Sequence, residues 1–540
     1  MIRPIAGALA LLTAPAALAQ QAPVPKLVVV VSVDQLSADL FAEYRGQFRE
    51  GFARLMSGAV FPSGYQSHAA TETCPGHSTI LTGARPARTG IVANDWTDFS
   101  TPREDKTVYC AEDTSVPGST SNKYTVSDKN LKVPTLGEWM KLANPGSRVV
   151  SVAGKDRAAV MMGGHKVDEL WWWGGKSFVS YAGRAEPTMV TRMNAGITAR
   201  IAEAREPLDL PGFCQSRSRA IPVGTEGKTV GDGRFARAAG DKSGYRASPE
   251  FDESILALGA GLFSEMKLGQ GQDTDLLILG ASATDYVGHG KGTEGSEMCI
   301  QMFALDHSLG QLFAVLDKSG VDYVVALTAD HGGHDLPERN QEHGQPGAAR
   351  IDPKLRASVI GGEVSAALGL PKPALVGGSF GDVYVIPEIT GAARAKVQAE
   401  AIKRYRAHPQ VEAVFTAAEI AATPSPKSPP ETWSLLQRAR ASYSVGRSGD
   451  FVVALKPRIT PIANAGNGYV STHGSFWDYD RRVPILFWRK GMAGFEQPLG
   501  VETVDIAPTL ASLLRIPVPV EIDGRCLDLD SGTGDTCKAP

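Results

Sequence analysis

The sequence predicts an α/β protein with a doubly wound, mostly parallel central sheet flanked by helices, and with an α+β lobe inserted at about residues 352–442. Three observations predict it. Short apolar runs rich in β-branched residues recur at Lys26–Val33, Arg148–Val152, Leu276–Leu279 and Tyr323–Leu327, the pattern of strands buried on both faces. A long helical segment, Ser296–Lys318, carries Met302, Leu305, Leu309, Leu312 and Leu316 at helical spacing and stops at Gly320. Acids, imidazoles or cations follow each run, where open α/β sheets gather their ligands.

The first strand stops at Asp34, which reads either as a site acid or as a cap on the segment Ser37–Phe48. Next comes Thr73-Cys74-Pro75-Gly76-His77. Pro75 and Gly76 enforce a turn, and Ser78–Leu81 is expected to open a helix, so the Thr73 hydroxyl sits where backbone amides and the helix dipole favour an anion. Alone, the stretch fits an ordinary loop-to-helix junction as well. Asn94, in a turn-rich segment, could donate its amide to that anion or bond its own backbone. Asp98–Lys132 reads as a long surface excursion.

The strand Arg148–Val152 leads into Gly154-Lys155-Asp156-Arg157. If the chain stays extended there, Lys155 and Arg157 point the same way, a point charge and a planar fork suited to phosphate oxygens. Trp171 to Trp173 should alternate, with at least one indole buried and another exposed. Arg205–Arg246 is loop-rich and carries little signal.

Leu276–Leu279 delivers Asp285 and His289, which at a spacing of four share one side of a helical turn and can hold one ion. Tyr323–Leu327 leads to Asp330-His331, and the glycines after them free the backbone to aim both at one point. His334 is expected outside this ligand set, and His307 is an ordinary helix residue. In the lobe, Val383–Val385 and Val411–Phe415 read as strands around a helix at Ala392–Arg406, and Phe451–Leu455 is expected to rejoin the main sheet. His473 lies in a Ser-Thr-His-Gly-Ser turn, Val483–Trp488 is a late strand, and Asp505–Leu514 an amphipathic helix.

Composition narrows the class. The 540 residues are 43% hydrophobic, and 55 basic against 58 acidic residues leave a net charge of −3, with no bulk basic surface for nucleic acid or anionic membrane. Arg3, the apolar run Ile5–Leu12 and Ala17-Leu18-Ala19 make Met1–Ala19 a cleaved secretory signal, leaving 20–540 as the catalytic domain and a periplasmic or secreted location. Past that signal no run reaches the ~18 apolar residues of a membrane span. Six cysteines in an exported chain point to disulfides, Cys526 with Cys537 first; Cys74 with Cys110 and Cys214 with Cys299 are one arrangement among those open to the rest.

Collected, Asp34, Asp285, His289, Asp330, His331 and His473 offer three carboxylates and three imidazoles, a set that suits borderline divalent ions with zinc foremost. Six ligands exceed one tetrahedral ion with an open position. They fit two ions about 4 Å apart, which clamp the attacking and leaving oxygens of an in-line displacement. Two Zn²⁺ with three carboxylates leave a formal +1, Lys155 and Arg157 raise it to +3, and a Thr73 alkoxide lowers it to +2, matching a phosphate-monoester dianion.

Asp34, Thr73 to His77, Asn94, Lys155 to Arg157, Thr284-Asp285, His289, Asp330 to Gly332 and Thr472 to Gly474 resemble the alkaline phosphatase superfamily. Within it the chain is most similar to the bacterial exported, threonine-nucleophile alkaline phosphatases of the PafA or PhoK type, themselves related to nucleotide pyrophosphatase/phosphodiesterases. The resemblance runs from Asp34 to Arg525. It implies two Zn²⁺ per chain, one on Asp34, Thr73, Asp330 and His331, the other on Asp285, His289 and His473, with Asn94, Lys155 and Arg157 holding the phosphoryl oxygens. It also implies a covalent phosphothreonine and broad use of small phosphate monoesters at alkaline pH; the oligomeric state is left open, with a monomer favoured. A phosphodiesterase on the same scaffold is the alternative. A sulfatase is disfavoured, because Thr73 and His77 stand where its Cys/Ser-x-Pro-x-Arg segment needs other residues.

Overall fold

The computed structural model describes residues 23–224, 227–532 and 534–538, so the expected signal Met1–Ala19 lies outside the described residues. Leu27–Val33 (β1) is a strand whose seven residues are all buried, as its unbroken apolar run demands. Around it are Ala59–Tyr65 (β2), Val149–Ala153 (β3), Glu169–Trp173 (β4), Asp275–Ala281 (β5), Tyr323–Thr328 (β6) and Arg482–Arg489 (β7). With three short edge pieces they form a ten-stranded sheet in the order β2-β7-β6-β1-β5-β3-β4. The run β6-β1-β5-β3-β4 is parallel, and β7 is antiparallel to both neighbours.

Alternation along β1 splits the core in two. Val29, Val31 and Val33 pack on one face against the helices Pro249–Met266 and Ser296–Ser319, while Val28 and Val30 pack on the other with Leu136, Trp139, Ile506 and Leu510. Ser296–Ser319 is long and apolar enough to cross a membrane, with mean hydropathy 1.3, but 61% of that stretch is buried within the protein.

Two expectations are corrected here. Trp171 and Trp173 point into one core and Trp172 into the other, as alternation requires, yet all three indoles are buried, at 2%, 8% and 7% exposure. The reason is that β4 is covered on both faces, and Phe178–Val179 closes its outer edge. Phe451–Leu455 does not rejoin the main sheet: it pairs with Gly381–Val385 and Val411–Thr416 in a separate four-stranded antiparallel sheet that begins at Leu375. An apolar run states that a strand is buried, not which strands it joins. The helices Ala357–Leu368 and Gly391–Ala407 cover this sheet and give it its own core, including Val364, Val397, Tyr405 and Phe451.

Three disulfides join Cys74 to Cys110, Cys214 to Cys299 and Cys526 to Cys537.

Candidate active site

The strand ends converge as the sequence predicted. Asp34 follows β1, Lys155 lies just past β3, Asp285 past β5 and Asp330 past β6. Thr73 is the first residue of a helix, Thr73–Ile80 (α1), whose every residue is buried. That helix therefore begins five residues before the expected Ser78. Pro75 and Gly76 lie inside its first turn, where proline's missing N–H costs nothing because that donor has no intrahelical partner. Gly76 has a tertiary reason to be glycine: a Cβ there would stand 1.9 Å from the Asp330 carbonyl oxygen. The helix that begins at Thr73 thus rests directly on the backbone that carries Asp330.

Asn94 does not bond its own backbone. Its side-chain oxygen accepts from the Cys74 backbone N–H at 2.8 Å, and its own backbone N–H donates to Glu72 at 2.6 Å, so it is pinned to the N-terminus of α1. Lys155 and Arg157 both reach Thr73, but not through an extended chain. Asp156–Gly163 (α2) starts immediately after Lys155, and a helical turn rather than a pleat aims the pair. Lys155 Nζ is 3.4 Å and Arg157 Nη2 3.5 Å from Thr73 Oγ.

The acids and imidazoles gather in two groups. His289 Nε2 is 3.2 Å and His473 Nε2 3.4 Å from Asp285 Oδ1. His331 Nε2 is 3.4 Å from Asp34 Oδ1 and 3.3 Å from Asp330 Oδ2. His331 and His473 stack with centroids 3.5 Å apart, so the groups adjoin, and Asp285, His331 and His473 also lie within reach of one ion. Each imidazole donates its Nδ1–H to a backbone carbonyl: His289 to Ser471, His331 to Gly332 and His473 to Thr71. That fixes the tautomer and leaves every Nε2 lone pair turned toward the acids.

A cation pair fits this donor set. Asp34 Oδ1, Asp285 Oδ1, Asp330 Oδ2 and His331 Nε2 are fully buried and lack a hydrogen-bond partner, which buried polar atoms rarely do unless something else satisfies them. Lys155 Nζ lies 2.6 Å from both Asp34 and Asp285, a cation set between two of the carboxylates. Burial, then the Asp330 charge, pushes the Asp34 carboxyl well above the usual range. Burial alone would discharge Lys155, but Asp285 and Asp34 outweigh it and raise its pKa. Burial likewise opposes ionisation of Asp285, yet His289 and Lys155 hold it well below the ordinary value. His331 is lowered to about 3, chiefly by burial, and so remains a neutral ligand.

Several supporting residues gave no signal in the sequence. Tyr109 and Tyr124 donate to the two oxygens of Asp156 at 2.7 and 2.8 Å, and the Tyr109 hydroxyl accepts from Arg157 at 3.4 Å. The supposed surface excursion thus buttresses Arg157. His77 Nδ1 bonds the Thr73 carbonyl one turn back and lies 3.1 Å from Asp330. His334 stands apart from both groups, bonded to Thr460 and 3.5 Å from Asp480. His307 is on the surface beside Glu50.

Residues 28–476 match the model of the type I phosphodiesterase / nucleotide pyrophosphatase family. The chain belongs to that family. Among its relatives, alkaline phosphatase PhoK of a Sphingomonas species is 57% identical over 519 residues, covering 95% of this chain and 92% of that one. Alkaline phosphatase PhoD of Zymomonas mobilis subsp. mobilis is 48% identical over 518 residues, covering 95% and 89%. The crystal structure of alkaline phosphatase PafA superposes with a TM-score of 0.82 at 25% identity, covering 94% of this chain and 99% of that one. This member is therefore of the PafA/PhoK type, with the α/β fold of that phosphatase.

Proposed function

We propose that this chain is an exported, zinc-dependent alkaline phosphatase that hydrolyses small phosphate monoesters over a broad range through a covalent phosphothreonine. Relatives that are alkaline phosphatases along nearly their whole length support the activity, and three disulfides support a periplasmic or secreted location. One observation carries the chemistry. Two adjoining groups of buried acids and imidazoles, with atoms of Asp34, Asp285, Asp330 and His331 lacking a hydrogen-bond partner, stand beside a hydroxyl at a helix N-terminus.

Asp34, Asp330 and His331, with Thr73, would hold one ion, and Asp285, His289 and His473 the other. When bound, such a pair lowers the pKa of attached oxygens and neutralises charge at the attacking and leaving positions. Thr73 Oγ attacks phosphorus as the ester oxygen departs, so one P–O bond forms while another breaks. Water then takes the phosphoryl group from Thr73 and restores the hydroxyl. Lys155 and Arg157, both within 3.5 Å of Thr73 Oγ, face the non-bridging oxygens, where charge-assisted bonds orient the dianion. The Asn94 side chain, tied to the Cys74 amide, completes the rim of the anion site. α1 adds its N-terminal dipole.

The test is turnover of p-nitrophenyl phosphate by the purified mature chain, with metal content measured on the same sample. Two zinc ions per chain, activity abolished by chelator and restored by zinc, and loss of at least ~10³-fold in Thr73→Ala are expected. Activity that survives both chelation and the threonine exchange defeats the proposal. The family description favours one second reading, a phosphodiesterase on the same site, and comparing a monoester with its methyl diester separates the two.

A further inference from the structure

Beside Thr73 a cavity of about 460 Å³ opens between the main sheet and the smaller one. Glu72, Asp95 and Gly474, the near neighbours of Thr73, Asn94 and His473, line it together with Gly377, Gly378, Gly381, Asp382 and Tyr443. Glu72, the residue before Thr73, lines this space, so a phosphoryl group on Thr73 would send its alcohol part toward it. The volume suits a small organic group.

The charge of the cavity is one-sided. Its ionisable lining among the described residues comprises the carboxyls of Glu72, Asp95 and Asp382 and the phenols of Tyr384 and Tyr443, with no lysine or arginine. Asp382, half-buried, accepts from the Gly449 amide through Oδ1 at 2.6 Å. Burial, then the Gly449 bond working against it and the Glu72 charge adding to it, leaves the Asp382 carboxyl at about 6, ionised at alkaline pH but short of a counter-ion. The Arg157 charge reaches Asp95, but both nearby arginines make their hydrogen bonds elsewhere. Arg157 faces Thr73, and Arg447 lies over Trp96 while donating to the Gly90 and Asn130 carbonyls. Aromatic walls complete the cavity, with Trp96, Phe380, Tyr443 and Phe476 among them.

Carboxylates set among aromatic faces are the chemistry that holds an alkylammonium ion, which needs charge and polarisable surface but few hydrogen bonds. A second phosphate or a carboxylate on the alcohol would meet like charge instead. We propose that this cavity is the leaving-group site and that Glu72, Asp95 and Asp382 make it selective for phosphate esters of ammonium-bearing alcohols. The inference rests on the phosphatase reading above and assigns the substrate class of that same site.

The test compares kcat/KM for choline phosphate with that for 3,3-dimethylbutyl phosphate, which has the same shape and no positive charge. Native full-length protein is set against Asp382→Asn and Asp95→Asn, and the ratio of the two substrates is read in each. Differences in intrinsic reactivity cancel between variants. Each exchange is expected to lower the preference for choline phosphate several-fold, and both together about tenfold. Asp95 is exposed, so its variant reads the same charge if Asp382→Asn folds poorly. A ratio unchanged in the variants overturns the assignment. Turnover of p-nitrophenyl phosphate by the native protein is measured alongside: its absence defeats the phosphatase reading, whereas its presence with an unchanged ratio defeats only the leaving-group site.

Discussion

Exchanging Arg157 for alanine should harm a monoester far more than a diester. Its guanidinium lies 3.5 Å from Thr73 Oγ, so a phosphoryl oxygen bound there is within about 4 Å of the cation. At that distance one unit of charge is worth between about 1 kcal/mol in water-like surroundings and about 4 kcal/mol near a protein surface. A monoester dianion carries one unit more than a diester monoanion. The loss of kcat/KM on a monoester should therefore exceed the loss on a diester by at least about fivefold, since 1.4 kcal/mol is one decade. Using p-nitrophenyl phosphate and methyl p-nitrophenyl phosphate keeps the leaving group constant, and a thermal melt of the variant checks its fold. Equal losses on the two esters would refute charge recognition by Arg157 and favour a purely structural role through Asp156 and Tyr109.

Gly76→Ala should cut kcat/KM by about 10²-fold, because its Cβ would sit 1.9 Å from the Asp330 carbonyl and must push the nucleophile helix away from a proposed ion ligand. Near-native steady-state kinetics would show that α1 can shift without disturbing Thr73. A pH prediction concerns His165, whose Nδ1 lies 3.2 Å from Glu138 and whose side chain is 34% exposed. The Glu138 bond raises the His165 pKa above the ordinary 6.5, so the folded state binds the proton more tightly than the unfolded one. The resulting stability is present below 6.5 and lost as pH rises through the folded value. Urea unfolding should make the native chain about 0.5 kcal/mol more stable than His165→Gln in mild acid, with the difference gone in mild alkali. A gap that does not change with pH would place the effect in packing.

Much of the fold was legible because the chain states burial locally. β1, β3, β5 and β6 are apolar on both faces, and only a covered parallel sheet accommodates that. Phe451–Leu455 misled because pairing is a long-range choice that composition does not encode. The expected exposed tryptophan failed similarly, since coverage of an outer strand depends on elements distant in sequence. Tyr109 and Tyr124 were invisible beside Arg157 because they lie 48 and 33 residues before it, in a segment rich in turns.

The sequence by itself determined which chemistry is available: a hydroxyl, three acids, three imidazoles and two cations, most of them placed where strands or turns end. It could do so because strand ends and turn residues are written in local pattern. Only the tertiary structure decided that those groups meet, that each imidazole turns the same nitrogen inward, and that a carboxylate-lined cavity opens beside Thr73. Those outcomes depend on distances between segments hundreds of residues apart, such as His473 Nδ1 to the Thr71 carbonyl at 2.8 Å, and no local pattern sets them.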